Sequence, residues 1–188
     1  MDNTIWKEKI AMLAAQGVQL APGLTEAELL NTETTYQFRF PPDLRDLLHT
    51  RLPCSESFPD WRNGERGELQ SRLDWPAENI CFDVEHAGFW LPDWGPRPAS
   101  LAEALRLVRD LVANAPKLIP IYAHRYLPDE PALPGNPVLS VYQTDIIYYG
   151  EDLGRYLDTE FAGLTHDILL KDVREIRFWS SLVANASA

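Results

Sequence analysis

Two short runs of β-branched and aromatic residues, Val138–Tyr142 and Ile146–Tyr149, restrict the fold of this 188-residue chain more than any other feature. They are separated by the polar residues Gln143, Thr144 and Asp145. Strand-forming runs that are joined by so short a polar segment are typical of a β-hairpin. We therefore expect two antiparallel strands in this part of the chain.

The segments that flank this hairpin extend the prediction. Leu118–Tyr122 is a short apolar run of the kind that forms a strand. Gly150 ends the hairpin, and the apolar residues across Glu151–Phe161 recur at helical spacing. The region from 118 to 161 should therefore form a sheet that is closed by a helix.

Helices dominate the chain before this region. Apolar spacing predicts one helix over Ile5–Gln16 and another over Ser100–Asn114. Thr25 followed by Glu28 is the capping-box pattern that begins a helix. A proline in the first turn indicates a further helix over Asp43–Thr50. Because helices come first and strands cluster later, the sequence predicts an α+β fold with a central, mostly antiparallel sheet and helices packed around it.

The middle and the end of the chain have less regular patterns. Glu68–Trp75 is typical of a short helix, which Pro76 is expected to end. Asn79–Glu85 is mostly apolar and indicates a strand or a short extended run. His86–Pro98 holds three aromatic residues among two glycines and three prolines, which disfavour a regular helix. Val173–Leu182 is expected to form a last helix or strand.

Composition narrows the class of protein. With 45% hydrophobic residues the chain can bury a real core, and we expect a single domain over residues 1–188. A net charge of −11 argues against nucleic-acid binding and would attract a basic protein, although acidity also favours solubility.

No apolar run is long enough to span a bilayer and no secretion signal is present, so we expect a cytoplasmic protein. Without a phosphate-binding loop or dinucleotide fingerprint, no cofactor is predicted.

Asp83, Glu85 and His86 place two carboxylates and an imidazole close together in sequence. Such groups bind metal ions when they converge. On the strand predicted here, however, Asp83 and Glu85 share one face while His86 points to the other. We therefore expect solvated polar residues and no metal site.

His124 and Arg125 follow the first predicted strand of the sheet, where functional side chains often lie. His124 could act as a general base that Asp145 or Glu85 orients, as in a small hydrolase or a ligand-binding enzyme. The favoured alternative is structural. In it, Arg125 pairs with Asp145 or Glu160, and His124 bonds to the backbone of the loop that follows.

Aromatic residues with acidic neighbours lead to the favoured functional hypothesis, a non-catalytic surface that binds a protein. Alternation sends Tyr142 to the same strand face as Ser140, and it sends Tyr148 and Tyr149 to opposite faces. Aromatic side chains supply much of the energy at interface hot spots. An ordinary core whose hydroxyl groups reach solvent is the alternative. The residues expected to contact a partner are Trp61, Trp90, Trp94, Arg125, Tyr142 and Asp145.

The order of several short motifs resembles the SUKH superfamily, which includes Smi/Knr-type cell-wall regulators of yeast and many bacterial immunity proteins. The resemblance covers about residues 20–161 and rests on GLTEAELL, FPPDLRDLL, LIPIYAHRYLP, VLSVYQTDIIYYG and EDLGRYLDTEF. Three further segments are similar to a bacterial subgroup with an enlarged middle and tail: FPDWR, FWLPDWGPRP and IRFWSSL. The family's Gly-rich turn before the hairpin is replaced here by Pro134–Pro137.

This resemblance implies an α+β fold with a largely antiparallel sheet and no fixed catalytic residues. It also implies a function, since bacterial members neutralise toxins, often nucleases or deaminases, by binding them. The partner would then be a basic toxin domain, whose approach the acidic charge would accelerate. A regulatory scaffold is a further alternative, and it would show a large apolar patch or a self-complementary face.

Overall fold

The computed structural model describes residues 4–165 and 173–186 of the chain. Its N-terminal part alternates helices with two short strands, which pair antiparallel with each other. The three helices predicted here are confirmed to within a few residues, whereas the two strands were not predicted. In chain order the elements are α1 (Thr4–Ala15), β1 (Leu20–Pro22), α2 (Glu26–Tyr36), α3 (Pro42–Thr50) and β2 (Arg51–Pro53).

The described residues that follow form two helices, a four-stranded antiparallel sheet and two more helices. The strands of this sheet lie side by side in the order of the sequence. The predicted α+β fold is thereby confirmed. None of the helices described, from 4 to 165 and from 173 to 186, is long and apolar enough to cross a bilayer. In chain order the elements are α4 (Arg66–His86), α5 (Leu101–Ala113), β3 (Leu118–Tyr122), β4 (Arg125–Pro128), β5 (Val138–Tyr142), β6 (Asp145–Gly150), α6 (Leu153–Ala162) and α7 (Trp179–Ala186).

Strands β5 and β6 form the predicted hairpin. Tyr142 pairs with Asp145 at its tip, so only Gln143 and Thr144 make the turn. Gln143 has a φ of 55°, the left-handed conformation that tight hairpin turns use. Asp145, which was expected in the turn, is the first residue of β6.

The sheet lies between two hydrophobic cores. Side chains such as Leu139 and Val141 point from β5 toward α4, α5 and α7. Side chains such as Ile119 and Leu127 point the other way, toward α1, α2, α3 and α6. Tyr148 faces the core beside α4, α5 and α7, and Tyr149 faces the opposite core, as the alternation predicts.

Helix α4 contradicts the prediction for the middle of the chain. The residues expected to form a helix that ends at Trp75 and a strand over 79–85 form one continuous helix of 21 residues through Pro76. Proline has no N–H, so the carbonyl of Arg72, four residues earlier, loses its usual helical donor. The hydroxyl of Tyr126 on β4 donates to that carbonyl at 3.0 Å. A bond from another element thus satisfies the carbonyl that Pro76 leaves open.

The aromatic segment after α4 is irregular, as expected, apart from a short 3₁₀ turn at Pro92–Trp94. Arg97 stabilises it by donating to the carbonyls of Gly88 and Val84 at 3.0 and 2.8 Å. The predicted helix over 100–114 is confirmed as α5, although Ser100 forms no side-chain capping bond with any described residue. The segment predicted to be a last helix or strand becomes helical only at Trp179, where α7 begins.

Candidate functional site

Exposed apolar side chains gather where the β5–β6 hairpin turns. Tyr142 is 60% exposed and Ile147 is 37% exposed. The pairing of Ser140 with Ile147 and of Tyr142 with Asp145 places all four side chains on one face of the sheet. Ser140 is buried, whereas Asp145 is exposed beside Tyr142. This end of the sheet therefore presents an aromatic ring, an aliphatic side chain and a carboxylate to solvent.

Helix α4 holds the hairpin turn in place. Asn79 accepts a hydrogen bond from the backbone N–H of Gln143 at 3.1 Å. Asp83 accepts bonds from the N–H and the hydroxyl of Thr144 at 2.9 and 2.6 Å. Two helix residues one turn apart thus fix both turn residues, so the hairpin end is built on a rigid support.

The same helix contributes its own exposed aromatic residues. Trp75 is 40% exposed and lies one turn before Asn79. Phe82 is also exposed, and its ring stacks on that of His86 with centroids 4.2 Å apart. Because Asn79 and Asp83 bind the turn, these rings flank it on the α4 side.

A groove of about 410 Å³ separates α4 from the turn between β3 and β4. His124 stands at its edge and brings its ring within 6.5 Å of the Tyr142 ring. Burial and the nearby Arg125 lower the pKa of His124 below its usual value, which favours the neutral imidazole. The groove is lined by Glu68, Ser71, Arg72, Trp75, Ala123, His124 and Tyr126. We call Trp75, His124, Tyr142, Asp145 and Ile147, together with this groove, the hairpin-end surface.

Arg125, one of the predicted contact residues, lies mostly beneath this surface. One of its terminal nitrogens donates to the hydroxyl of Ser140 at 3.0 Å. Its guanidinium carbon lies 3.7 Å from the centre of the Tyr149 ring, within the range of a cation–π interaction. Its Nε lies 4.0 Å from a carboxylate oxygen of Glu160 on α6. The structure therefore places Arg125 beside Glu160 at the limit of an ion pair, without a direct hydrogen bond between Nε and Oε2, and assigns Arg125 to the support of the surface.

The predicted catalytic pair is not assembled. Among the described residues, no carboxylate oxygen lies within 4.0 Å of a ring nitrogen of His124, so neither Asp145 nor Glu85 orients it. The backbone carbonyl of His124 accepts the N–H of Val141, which ties this turn to β5. His124 therefore contributes a neutral ring to the surface.

The cluster of Asp83, Glu85 and His86 lies on a helix, so the strand geometry expected for it is wrong. Asp83 is buried and binds Thr144, whereas Glu85 and His86 are exposed. Among residues 4–165 and 173–186 there is no group of three or more His, Cys, Asp or Glu side chains that could hold a metal ion. Asp83 thus acts as an anchor for the hairpin turn.

The predicted tryptophan contacts do not lie on the hairpin-end surface. Trp61 is only 6% exposed and packs edge-on against Phe38 and Phe40 in the core beside α2 and α3. Trp94 is 9% exposed, and half-buried Trp90 packs against it with ring centroids 5.3 Å apart. Their rings stabilise the core and the loop after α4, and their role as partner contacts stays a prediction.

The predicted tyrosine-bearing sheet surface is also smaller than expected. Tyr126 and Tyr156 are buried, and Tyr148 and Tyr149 are partly buried against opposite cores. Of the tyrosines in the described ranges, Tyr142 alone belongs to the large exposed apolar side chains. The surface therefore combines a tyrosine from the hairpin with a tryptophan from α4.

Sequence reasoning missed Trp75 and Phe82 because it divided α4 at Pro76. Their spacing of seven residues is two helical turns, which places both on one face of a continuous helix. The spacing of these two aromatic residues can be recognised only if the helix is assumed to continue through Pro76.

A second concavity, of about 400 Å³, lies between α4, α5 and the buried ring of Trp179. Its floor is apolar, with side chains such as Leu73 and Val112. Carboxylates on α4 and basic side chains opposite, such as Arg109, line its edge.

Comparison of the chain with protein-family models, curated proteins and solved structures found no match.

Proposed function

We propose that this protein is a non-catalytic binding module that docks a protein with a basic contact surface on the hairpin-end surface. The observation that carries the proposal is a set of exposed side chains at one end of the sheet. Trp75 and His124 line the groove, the Tyr142 ring lies 6.5 Å from the His124 ring, and Ile147 is on the same sheet face as Tyr142. Exposed apolar patches of this kind mark interaction sites when polar residues surround them.

The support beneath these side chains favours a docking role. Asn79 and Asp83 fix the hairpin turn, so little conformational freedom of the backbone would be lost on binding. The groove beside Trp75 has a mainly apolar lining, to which the small residues Ser71 and Ala123 also contribute. A large apolar side chain of the partner would fill it as an anchor, surrounded by the more polar parts of the contact.

Charge decides which kind of partner is proposed. The chain carries a net charge of −11. On the surface itself, Asp145 presents an exposed carboxylate, whereas Glu68 lies 3.4 Å from the guanidinium of Arg72. Opposite potentials accelerate association, so a basic protein would find this surface faster than a neutral one. A nucleic acid would be repelled by the same field.

The resemblance to the SUKH superfamily supports an immunity role, in which the partner is a basic toxin domain. Such a complex would form in the cytoplasm, and this location agrees with the free thiols of Cys54 and Cys81. The immunity role and the location rest on the resemblance and on composition, whereas the docking surface rests on geometry.

Site-specific photo-crosslinking in the cells that naturally produce the chain tests the docking surface. A photoreactive phenylalanine analogue replaces Tyr142 in one variant and Trp75 in another. Leu133, which is 55% exposed in the loop at the opposite end of the sheet, is the matched control. We expect both surface positions to trap the same basic protein and the control position to trap none.

Three outcomes would contradict the proposal. One is crosslinking of the same protein from Leu133 as strongly as from Tyr142. Another is a crosslink from both surface positions to a second copy of this chain, which would make the surface a dimer face. The third is the absence of any protein adduct from either surface position.

A further inference from the structure

Three buried polar atoms beneath the sheet face lack a hydrogen-bond partner among the described residues. They are Nε of Arg125, the hydroxyl of Tyr156 and Oε2 of Glu160. Buried polar groups in folded proteins are nearly always hydrogen-bonded, because an unpaired one loses its hydration without compensation. Three such atoms that occur on neighbouring side chains indicate a shared partner.

The three side chains form one cluster. Tyr156 and Glu160 are four residues apart on α6 and so share a helix face. Nε of Arg125 lies 4.0 Å from Oε2 of Glu160, which is too long for a direct hydrogen bond. Tyr149 joins them, since its ring stacks under the Arg125 guanidinium and packs against the Tyr156 ring at 6.1 Å.

The chemistry of the three atoms is complementary. Nε–H of Arg125 is a donor, and the Glu160 carboxylate oxygen is an acceptor. Burial, together with the negative charge of Glu160, raises the pKa of Tyr156, so this side chain stays a neutral phenol that both donates and accepts. A single small molecule with both kinds of hydrogen-bonding group would satisfy all of them.

We propose that one internal water molecule bridges Arg125, Glu160 and Tyr156 and joins α6 to the sheet. Two atoms 4.0 Å apart can each bond to one oxygen at about 2.8 Å, which is an ordinary hydrogen-bond length. Internal waters typically make about three hydrogen bonds to otherwise unpaired groups, as this one would. The inference stands on the buried cluster alone and does not depend on the proposed partner.

Nuclear magnetic resonance on the full isotope-labelled chain tests this site. A long-lived internal water gives a cross-peak between the water resonance and the Hε proton of Arg125. We expect this cross-peak in the wild-type protein and a crystal-structure water within about 3.2 Å of all three atoms. In Tyr156→Phe the water loses one partner, so the cross-peak should weaken.

Tyr148→Phe is the matched control, because it removes a hydroxyl that bonds to Ser180 at 2.6 Å on the other side of the sheet. It should leave the Arg125 cross-peak unchanged. A wild-type crystal structure in which Arg125 and Glu160 bond directly, with no water between them, would overturn the proposal. So would a cross-peak that is absent from the wild type, or one that Tyr156→Phe and Tyr148→Phe affect equally.

Discussion

A single hydroxyl group explains how α4 continues through a proline. Tyr126 is buried, and its hydroxyl donates to the carbonyl of Arg72. Pro76 has no N–H and cannot donate to this carbonyl itself. Burial strongly raises the pKa of Tyr126, so the hydroxyl keeps its proton over the physiological range. Because α4 is continuous, Trp75 lies on the same helix as Asn79, which binds the hairpin turn one helical turn later. One donor on the sheet thus supports the geometry of the proposed surface.

We expect Tyr126→Phe to lower the free energy of unfolding by about 1–3 kcal/mol, because it leaves the Arg72 carbonyl without its donor. In a Pro76→Ala background, the restored N–H of residue 76 can serve that carbonyl. The loss caused by Tyr126→Phe should then be clearly smaller. Urea unfolding of the four proteins of this double-mutant cycle measures the difference. Equal losses in both backgrounds would contradict the role assigned to the hydroxyl.

The burial of Asp129, next to the end of a strand, makes the stability of the folded protein depend on pH. Burial is the main reason that its pKa is raised to about 6, although the backbone N–H of Lys117 donates to its carboxylate at 2.7 Å. Its pKa is therefore higher in the folded protein than in the unfolded chain. The folded state binds the proton more readily, so this residue makes stability fall as the pH rises from about 4 to about 6.

Asp129→Asn should remove this fall, because the amide carries no charge and its oxygen can still accept the Lys117 bond. The free energy of unfolding of the variant, relative to the wild type, should rise between about pH 4 and about pH 6 and stay level above. Urea titrations across that range measure it. A difference that does not change with pH would show that the carboxylate keeps its ordinary pKa.

At the scale of elements, the start of α2 is the best example of a motif that folds as its sequence indicates. The Thr25 hydroxyl accepts the N–H of Glu28 at 3.2 Å, and Glu28 accepts the N–H of Thr25 at 2.7 Å. Arg62 then adds a charge-assisted bond to Glu28 at 2.6 Å and donates to the carbonyls of Pro22 and Gly23. The capping box is thus also the point where the loop before α4 is attached.

The bond from Arg62 is the main reason that the pKa of Glu28 is lowered to about 2, and the bonds from Thr25 add to it. Because the folded pKa lies below the unfolded value of 4.5, Glu28 stabilises the protein above that pH. Its contribution should disappear as the pH falls from 4.5 to about 2. We expect Glu28→Gln to be less stable than the wild type at pH 7 and equally stable near pH 2 in urea unfolding. A deficit that persists at the lowest pH would contradict this assignment.

Elements whose signals are local could be predicted from the sequence. The hairpin and the capping box depend on neighbouring residues, and both formed where they were expected. The division of α4 at Pro76 failed because Tyr126, the donor that rescues the helix, lies 54 residues from Arg72, whose carbonyl it binds. β4 was missed for a similar reason: a four-residue strand that ends in proline is stabilised by its neighbours on both sides. Long-range partners of this kind are not visible in a local pattern.

At the scale of the whole molecule, the exposure of each aromatic residue could not be predicted. Trp61 and Trp75 are the same residue type, yet one is in the core and the other is on the surface. Which of them meets solvent depends on how the helices pack on the two faces of the sheet. The alternation of β5 placed Tyr142 on the correct face, and its exposure follows because no described helix covers that part of the face. The hairpin part of the proposed surface could therefore be predicted from the sequence, whereas the part that α4 contributes could not.

The affinity of the crosslinked partner for surface variants tests the central claim most directly. Calorimetry with the purified partner compares the wild type with Tyr142→Ala, Trp75→Ala and the control Leu133→Ala. We expect each surface variant to weaken binding by about 2 kcal/mol or more, which is about 30-fold in Kd, and the control to bind like the wild type. Wild-type affinity in both surface variants, or an equal loss in Leu133→Ala, would contradict the account.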